Sequence, residues 1–189
     1  MYLPLTKKPM PDLIANKFLL ENNKGSLTTT LKEIIGFVNS NLPVNTALEN
    51  TIFKVKVVVT ELLNNAIKHV RNSETTIHIL IDDENIIVKK TDSGNRFRLN
   101  SDLLFVDSPQ GSKVQLCSDT FHCVYAIFEN EHHIKFICED KLTDDLTDFK
   151  EIMEHFGLLI ITKAADRFTY EYDQQSGLNT FNVLIRIGG

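Results

Sequence analysis

The stretch VVVTELLNNAIKHV, from Val57 to Val70, decides the fold of this chain. On a helical wheel, with about 100° between successive residues, Asn65 and Lys68 lie within about 40° of Glu61. The opposite side of the wheel carries the apolar residues Val59, Leu62, Leu63, Ala66 and Val70. The pattern therefore predicts an amphipathic helix whose polar stripe holds an acid, an amide and a lysine.

Two interpretations of this polar stripe are open on periodicity alone. In the first, it is an ordinary solvated face on which Glu61 supports Asn65 and Lys68 along the helix. In the second, it binds a phosphorylated ligand. The Glu61 carboxylate then accepts a proton from water or a hydroxyl, the Asn65 oxygen binds Mg²⁺, and the Lys68 ammonium binds phosphate. The second interpretation needs another signal elsewhere in the chain.

The first half of the chain predicts helices and strands around this stretch. KFLLEN, residues 17–22, favours a short edge strand, and SLTTTLKEIIGFVNSNL predicts a helix over residues 26–42 with Ser26 as its cap. The next helix begins after Pro43 and ends near Val70. TTIHILI and NIIVKKT, within residues 75–91, are β-branched runs split by DDE, and they predict a hairpin.

The second half predicts two further hairpins and more helix. FHCVYAIFE and HHIKFICED, within residues 121–140, form one hairpin, and residues 169–187 form another that turns near Gly177. Residues 144–156 have their apolar side chains at helical spacing. GLLIITKAADRF, residues 157–168, fits either a buried strand or a helix on its own pattern.

Length and element types together predict one α+β domain that spans residues 1–189, with a loose N-terminal arm over residues 1–17. Helices on one face of a mostly antiparallel sheet would bury the apolar sides of both. Hydrophobic residues make up 42% of the chain, which is enough for a substantial core.

Charge and cysteine content limit the classes of partner and compartment. The formal net charge is -5, without the basic surplus of a general nucleic-acid binder. No run approaches the roughly 18 apolar residues of a membrane span, and the N-terminus lacks the apolar core of a signal peptide. Three cysteines without a CxxC pair favour a reducing compartment, so we expect a cytoplasmic protein with no nucleic-acid or membrane partner.

A family resemblance supplies the second signal. VVVTELLNNAIKHV resembles the N-box of the GHKL ATPases, a superfamily of gyrase-type topoisomerases, sensor histidine kinases and anti-sigma-factor serine kinases. VKKTDSGNRF, with Asp92 and Gly94, resembles the D-x-G-x-G box that follows in these proteins. HFGLLIITKAAD, with Gly157 and Asp166, resembles their G-x-G-L box, and it favours a helix over residues 158–166. The small anti-sigma-factor kinases are the most similar group in size and spacing.

The resemblance implies a fold and a set of roles. The fold would be a two-layer α/β sandwich with a mixed, mostly antiparallel sheet and helices on one face. Mg·ATP would be the ligand, with Glu61 as catalytic base, Asn65 as Mg²⁺ ligand and Lys68 as phosphate contact. Asp92 and Gly94 would hold adenine. A helix N-terminus near Gly157 would face phosphate, where free backbone donors favour anions.

Two departures from the family pattern bear on the choice between functions, and they support a non-catalytic one. Arg96 and His155 stand where the boxes have glycines, and residues 97–150 form a lid or insert region longer than that of the small kinases. One function is a possible ATP-dependent serine/threonine kinase or ATPase that acts on a protein partner of the anti-sigma-factor antagonist type. The alternative is a non-catalytic regulator that binds a protein. A detached histidine-kinase catalytic domain is a third option, and a homodimer is compatible with each.

Overall fold

The structure is a computed structural model that describes residues 13–21, 23–42, 48–70, 74–97, 109–141 and 149–188, without the side chains of 24 and 149–155. Most of the predicted N-terminal arm and part of the predicted insert therefore lie outside the described residues. No described helix combines the length and the apolar character that crossing a membrane requires.

Three helices and eight strands make up the described part of the chain. The helices are α1 (Lys24–Asn41), α2 (Leu48–His69) and α3 (Phe149–Ala164). The strands are β1 (Ile14–Glu21), β2 (Glu74–Ile81), β3 (Asn85–Asp92), β4 (Lys113–Ser118), β5 (His122–Asn130), β6 (His133–Asp140), β7 (Arg167–Asp173) and β8 (Leu178–Arg186). The α+β class, the first strand and the three predicted hairpins are confirmed, whereas β4 was not predicted.

The strands form a single sheet in the order β1-β2-β3-β8-β7-β6-β5-β4. Every pairing among the described strands is antiparallel, so the sheet is not the mixed one that the resemblance implies. Hairpins join β2 to β3, β4 to β5, β5 to β6 and β7 to β8, and antiparallel neighbours of this kind can be linked by short turns. The described part of the predicted insert supplies β4, β5 and β6, which widen the sheet on one side.

One core joins the helices to one face of the sheet. Buried and more exposed positions alternate along β1, β2 and β3, as they do in a half-covered strand. The inward side chains of the strands and the buried side chains of all three helices belong to one continuous apolar cluster. Phe37 of α1, for example, packs edge-on against Phe18 of β1, with 5.8 Å between ring centroids. The opposite face carries no helix among the described residues.

Two predicted helix starts are wrong. Ser26 does not cap α1; the helix begins at Lys24, and the side chain of Asn23 accepts a hydrogen bond from the Ser26 amide at 2.9 Å. Gly157 does not begin a helix either, because the helices predicted on either side of it are one continuous helix, α3. No proline interrupts residues 149–164, and His155 continues a helix more readily than the family's glycine would. The preference for helix over strand after Gly157 is confirmed.

Candidate functional site

The polar stripe of α2 lies against α3 at Gly157. A side-chain carbon added to Gly157 would lie 2.8 Å from Glu61 Oε2, 3.7 Å from Asn65 Nδ2 and 3.8 Å from Asn65 Oδ1. Glu61 and Asn65 are accordingly half-buried. This end of the stripe is therefore not an ordinary solvated face, and three of the predicted site residues are brought together.

The sequence of α3 explains this close approach. Leu158, Leu159 and Ile161 are buried in the core and hold the helix against the rest of the structure. Gly157 has no side chain, so its backbone can approach the Glu61 carboxylate.

The predicted role of Gly157 as a free phosphate donor is wrong, however. It lies beyond the first turn of α3, where backbone N–H groups are already bonded within the helix.

The DSG turn lies at the C-terminal end of α2, against the apolar side of the helix. Gly94 donates its backbone N–H to Asp92 Oδ1 at 2.9 Å. A carbon added to Gly94 would lie 2.9 Å from that oxygen and 3.2 Å from Cγ2 of Val70, which follows the last residue of α2. The turn predicted from sequence therefore contacts the C-terminal end of the predicted helix.

Asp92 has a charged partner that sequence reasoning missed. Lys90 Nζ lies 2.6 Å from Asp92 Oδ2, and the two side chains are only 4% and 3% exposed. The ammonium also lies 5.0 Å from the centre of the Phe181 ring. Burial lowers the pKa of Lys90, and the Asp92 carboxylate only partly offsets that effect. The period-2 pattern of β3, which points Ile86, Val88, Lys90 and Asp92 inward, is the signal that could have identified this lysine.

A buried hydrogen-bond network extends from the other oxygen of Asp92. Asn179 Nδ2 donates to Asp92 Oδ1 at 3.2 Å and to the Gly94 carbonyl at 2.9 Å. The Tyr170 hydroxyl donates to Asn179 Oδ1 at 2.7 Å and accepts from the Phe97 amide at 3.1 Å. Burial raises the pKa of Tyr170 to about 12. The network fixes the DSG turn against β7 and β8.

Thr75 carries an unused polar group beside this network. It is fully buried, it lies opposite Asp92 in the register of β2 and β3, and its hydroxyl has no hydrogen-bond partner among the described residues. A buried hydroxyl in a native structure is normally hydrogen-bonded, so Thr75 offers an unpaired polar group next to Asp92. No sequence motif singled out Thr75.

Arg96, in place of the second glycine, contacts the protein itself. Its guanidinium donates to the Glu131 carbonyl and lies 5.0 Å from the centre of the Tyr172 ring. Phe97 packs next to it, 5.3 Å from the Tyr170 ring. The segment after the DSG turn is thus attached to the β5–β6 turn and to β7.

Lys68 is the predicted residue that the structure leaves apart. Its side chain is exposed and forms no ion pair with any other described residue. The side chain of His155 lies outside the described residues.

The site therefore consists of two parts along α2. One is Glu61 and Asn65 under Gly157, and the other is Asp92 and its network near Val70.

No protein-family model matches the chain, and no curated protein matches it either. The family resemblance accordingly rests on the sequence motifs alone.

Proposed function

We propose that this chain is an ATP-binding regulatory protein of the GHKL type that resembles the anti-sigma-factor serine/threonine kinases. The observation that carries the proposal is the convergence of three motifs that are distant in sequence on one helix. Gly157 lies against Glu61 and Asn65, and the DSG turn lies against Val70 at the end of the same helix.

The proposal includes the two-layer α/β sandwich of that superfamily. It is supported by the core that the three helices share with one face of the sheet. The sheet departs from the family arrangement in two ways: every pairing among the described strands is antiparallel, and β4, β5 and β6 are added on one side.

The residues at the Gly157 end fit the phosphate end of a nucleotide. Asn65 offers a neutral amide oxygen, a ligand type that Mg²⁺ accepts together with water and phosphate oxygens. Glu61, half-buried beside it, is placed to accept a proton from a hydroxyl. Lys68 is exposed and long enough to turn toward a phosphate. Bound Mg²⁺ would offset phosphate charge.

The Asp92 end fits a base only after a rearrangement. Asp92 Oδ1 already accepts from Gly94 and Asn179, and Oδ2 is held by Lys90. Oδ2 can accept a second donor, but Asp92 is only 4% exposed, so a base reaches it only if the Lys90 side chain beside it moves away. The orphan hydroxyl of Thr75 supports a ligand here, because it offers a second hydrogen-bonding group beside Asp92.

The Lys90–Asp92 pair also favours a second function. If the pair never opens, the domain is a non-catalytic regulator that acts by binding a partner protein.

In the first function the phosphate acceptor is a serine or threonine of a cytoplasmic partner of the antagonist type, and Glu61 orients its hydroxyl.

Nucleotide titration by calorimetry separates the two functions. The first predicts Mg²⁺-dependent ATP binding that Asp92→Ala weakens and that loses its Mg²⁺ dependence in Asn65→Ala. Glu61→Ala should keep binding and lose phosphate turnover. Asn64→Ala, an adjacent change on the same helix, is the matched control. Absence of ATP binding by the folded wild-type chain would exclude the first function and leave the second.

A further inference from the structure

The face of the sheet opposite the helices carries a line of positive charge. Lys17 of β1 lies opposite His78 of β2, which lies opposite Lys89 of β3. The two lysines are exposed, the histidine is half-buried, and none of the three forms an ion pair with another described residue. We call these three residues the cation row. Such a row is unexpected in a chain whose formal net charge is -5.

The charges of the row act on one another. Burial, followed by the ammonium groups of Lys17 and Lys89, lowers the pKa of His78. Glu21 and Glu74 are the nearest acids on this face of β1 and β2. They pair with each other at the ends of these strands, and the Leu19–Thr76 pair lies between them and the cation row. The row therefore has no ion-pair partner among the described residues, and its charges can meet an acidic ligand.

An apolar row lies immediately beside the cation row. Leu80, Ile87 and Leu184 pair across β2, β3 and β8, and all three are half-buried. On the other side of the cation row, Leu19 is 50% exposed. A cationic row thus lies beside an apolar row, so a matching surface must combine acidic and apolar side chains.

We propose that this face docks an acidic, amphipathic segment of a partner protein, whose carboxylates meet the cation row and whose apolar side chains cover Leu80, Ile87 and Leu184. Charge complementarity selects an acidic partner. The positions of this face on β1, β2, β3 and β8 carry no phenylalanine, tyrosine or tryptophan, so the stacking platforms of single-strand nucleic-acid binders are missing there. The proposal is independent of nucleotide binding, because the face lies opposite the candidate site.

The test uses the full chain and a synthetic amphipathic peptide of glutamate, leucine and alanine, with a lysine-for-glutamate version as the basic control. The row variant is Lys17→Glu/Lys89→Glu. The matched control is Lys32→Glu/Lys56→Glu, which makes the same charge change at exposed helix positions. We expect the acidic peptide to bind the wild type, to bind the row variant at least about tenfold more weakly, and to bind the control variant unchanged.

A second measurement keeps the test valid if the row variant fails to fold. An NMR titration of wild-type His78 should give a higher pKa when the acidic peptide is bound, because nearby carboxylates favour the imidazolium. An unchanged His78 pKa in the peptide complex would overturn the proposal.

Other outcomes assign the face differently and also overturn the proposal. Equal weakening in both charge variants would indicate non-specific attraction. Tighter binding of a single-stranded oligonucleotide or of anionic vesicles, lost in the row variant, would assign the face to those ligands. Self-association of the wild type that the row variant abolishes would assign it to a second copy. Failure of the acidic peptide to bind would leave the face without the proposed partner.

Discussion

The two places at which a glycine meets the α2 region, Gly157 near the middle of the helix and Gly94 near its C-terminal end, are built differently. At the Gly157 end, the contact is with the tips of Glu61 and Asn65, which are half-buried. At the Gly94 end, the contact is with Asp92, which is held by Lys90, Asn179 and the turn itself. Both ends use a glycine for close approach, but only the second is fixed by a buried ion pair.

The Gly157 end can therefore rearrange, whereas the Gly94 end is held in place. Removing one partner of a buried ion pair leaves an uncompensated charge, whereas a half-exposed carboxylate can rotate toward water. We therefore expect a ligand to bind beside Glu61 with little rearrangement. To bind at Asp92, it must open the Lys90–Asp92 pair. The predictions below test this contrast, beginning with the largest expected effect.

Loss of the Lys90 ammonium should be the most damaging change. Lys90→Met leaves the Asp92 carboxylate buried without a cation, so we expect the free energy of unfolding to fall by about 3–5 kcal/mol. The double variant Lys90→Met/Asp92→Asn should recover most of that loss. Chemical denaturation measures both. Lys89→Met, on the exposed face of the same strand, is the control and should change stability by less than about 0.5 kcal/mol.

Gly94→Ala should destabilise by about 1–3 kcal/mol, because the new methyl group meets atoms that cannot move away. It would lie 2.9 Å from Asp92 Oδ1 and 3.2 Å from Val70 Cγ2. Ser93→Ala, an exposed change in the same turn, is the control. Wild-type stability in Gly94→Ala would mean that the Asp92 network adjusts easily, which contradicts a fixed end.

Gly157→Ala should have the opposite sign. The clash is only with the end of the Glu61 side chain, which can rotate away, and alanine favours a helix interior over glycine by up to about 1 kcal/mol. Gly36→Ala is the matched control, since it lies in α1 with no atom within 4 Å of the new carbon. We expect similar stabilisation in both variants, and loss of phosphate turnover with nucleotide binding retained in Gly157→Ala alone. Strong destabilisation of Gly157→Ala alone would show that Glu61 is fixed as firmly as Asp92.

The smallest effect is the pH dependence of stability that Tyr170 adds at alkaline pH. Its pKa is raised from 10.0 to about 12, so the folded state keeps a proton that the unfolded state loses. This contribution to stability is complete below pH 10 and is lost between pH 10 and about 12. Tyr170→Phe should show a shallower decline in this range than the wild type. Tyr172→Phe, on the same strand, should decline as the wild type does. Equal slopes in all three would indicate that Tyr170 is solvated.

Local patterns predicted much of the fold from sequence. The spacing of Val59, Leu62 and Leu63 identified α2, and the β-branched runs identified the hairpins. The strand β4 was missed because KVQLCS is short and follows a loop-like segment. The start of α3 was misplaced because a glycine within a helix resembles a boundary, and only the contact with Glu61 explains why one is tolerated there.

The candidate site was predicted in part. Glu61, Asn65 and Gly157 meet, as do Asp92, Gly94 and the end of α2, because helix and strand periodicity fixes which side chains point inward. Lys90, Thr75, Asn179 and Tyr170 were missed. Their importance depends on the register of neighbouring strands, which joins residues far apart in the chain and cannot be read from any single segment.

The most direct test of the central claim is a crystal structure of the chain with Mg²⁺ and a non-hydrolysable ATP analogue. The proposed site predicts the metal in contact with Asn65, the phosphates beside Glu61, and the base on Asp92 with the Lys90 ammonium moved away from Oδ2. An analogue bound elsewhere, or none bound, with Lys90 still 2.6 Å from Asp92, would contradict it.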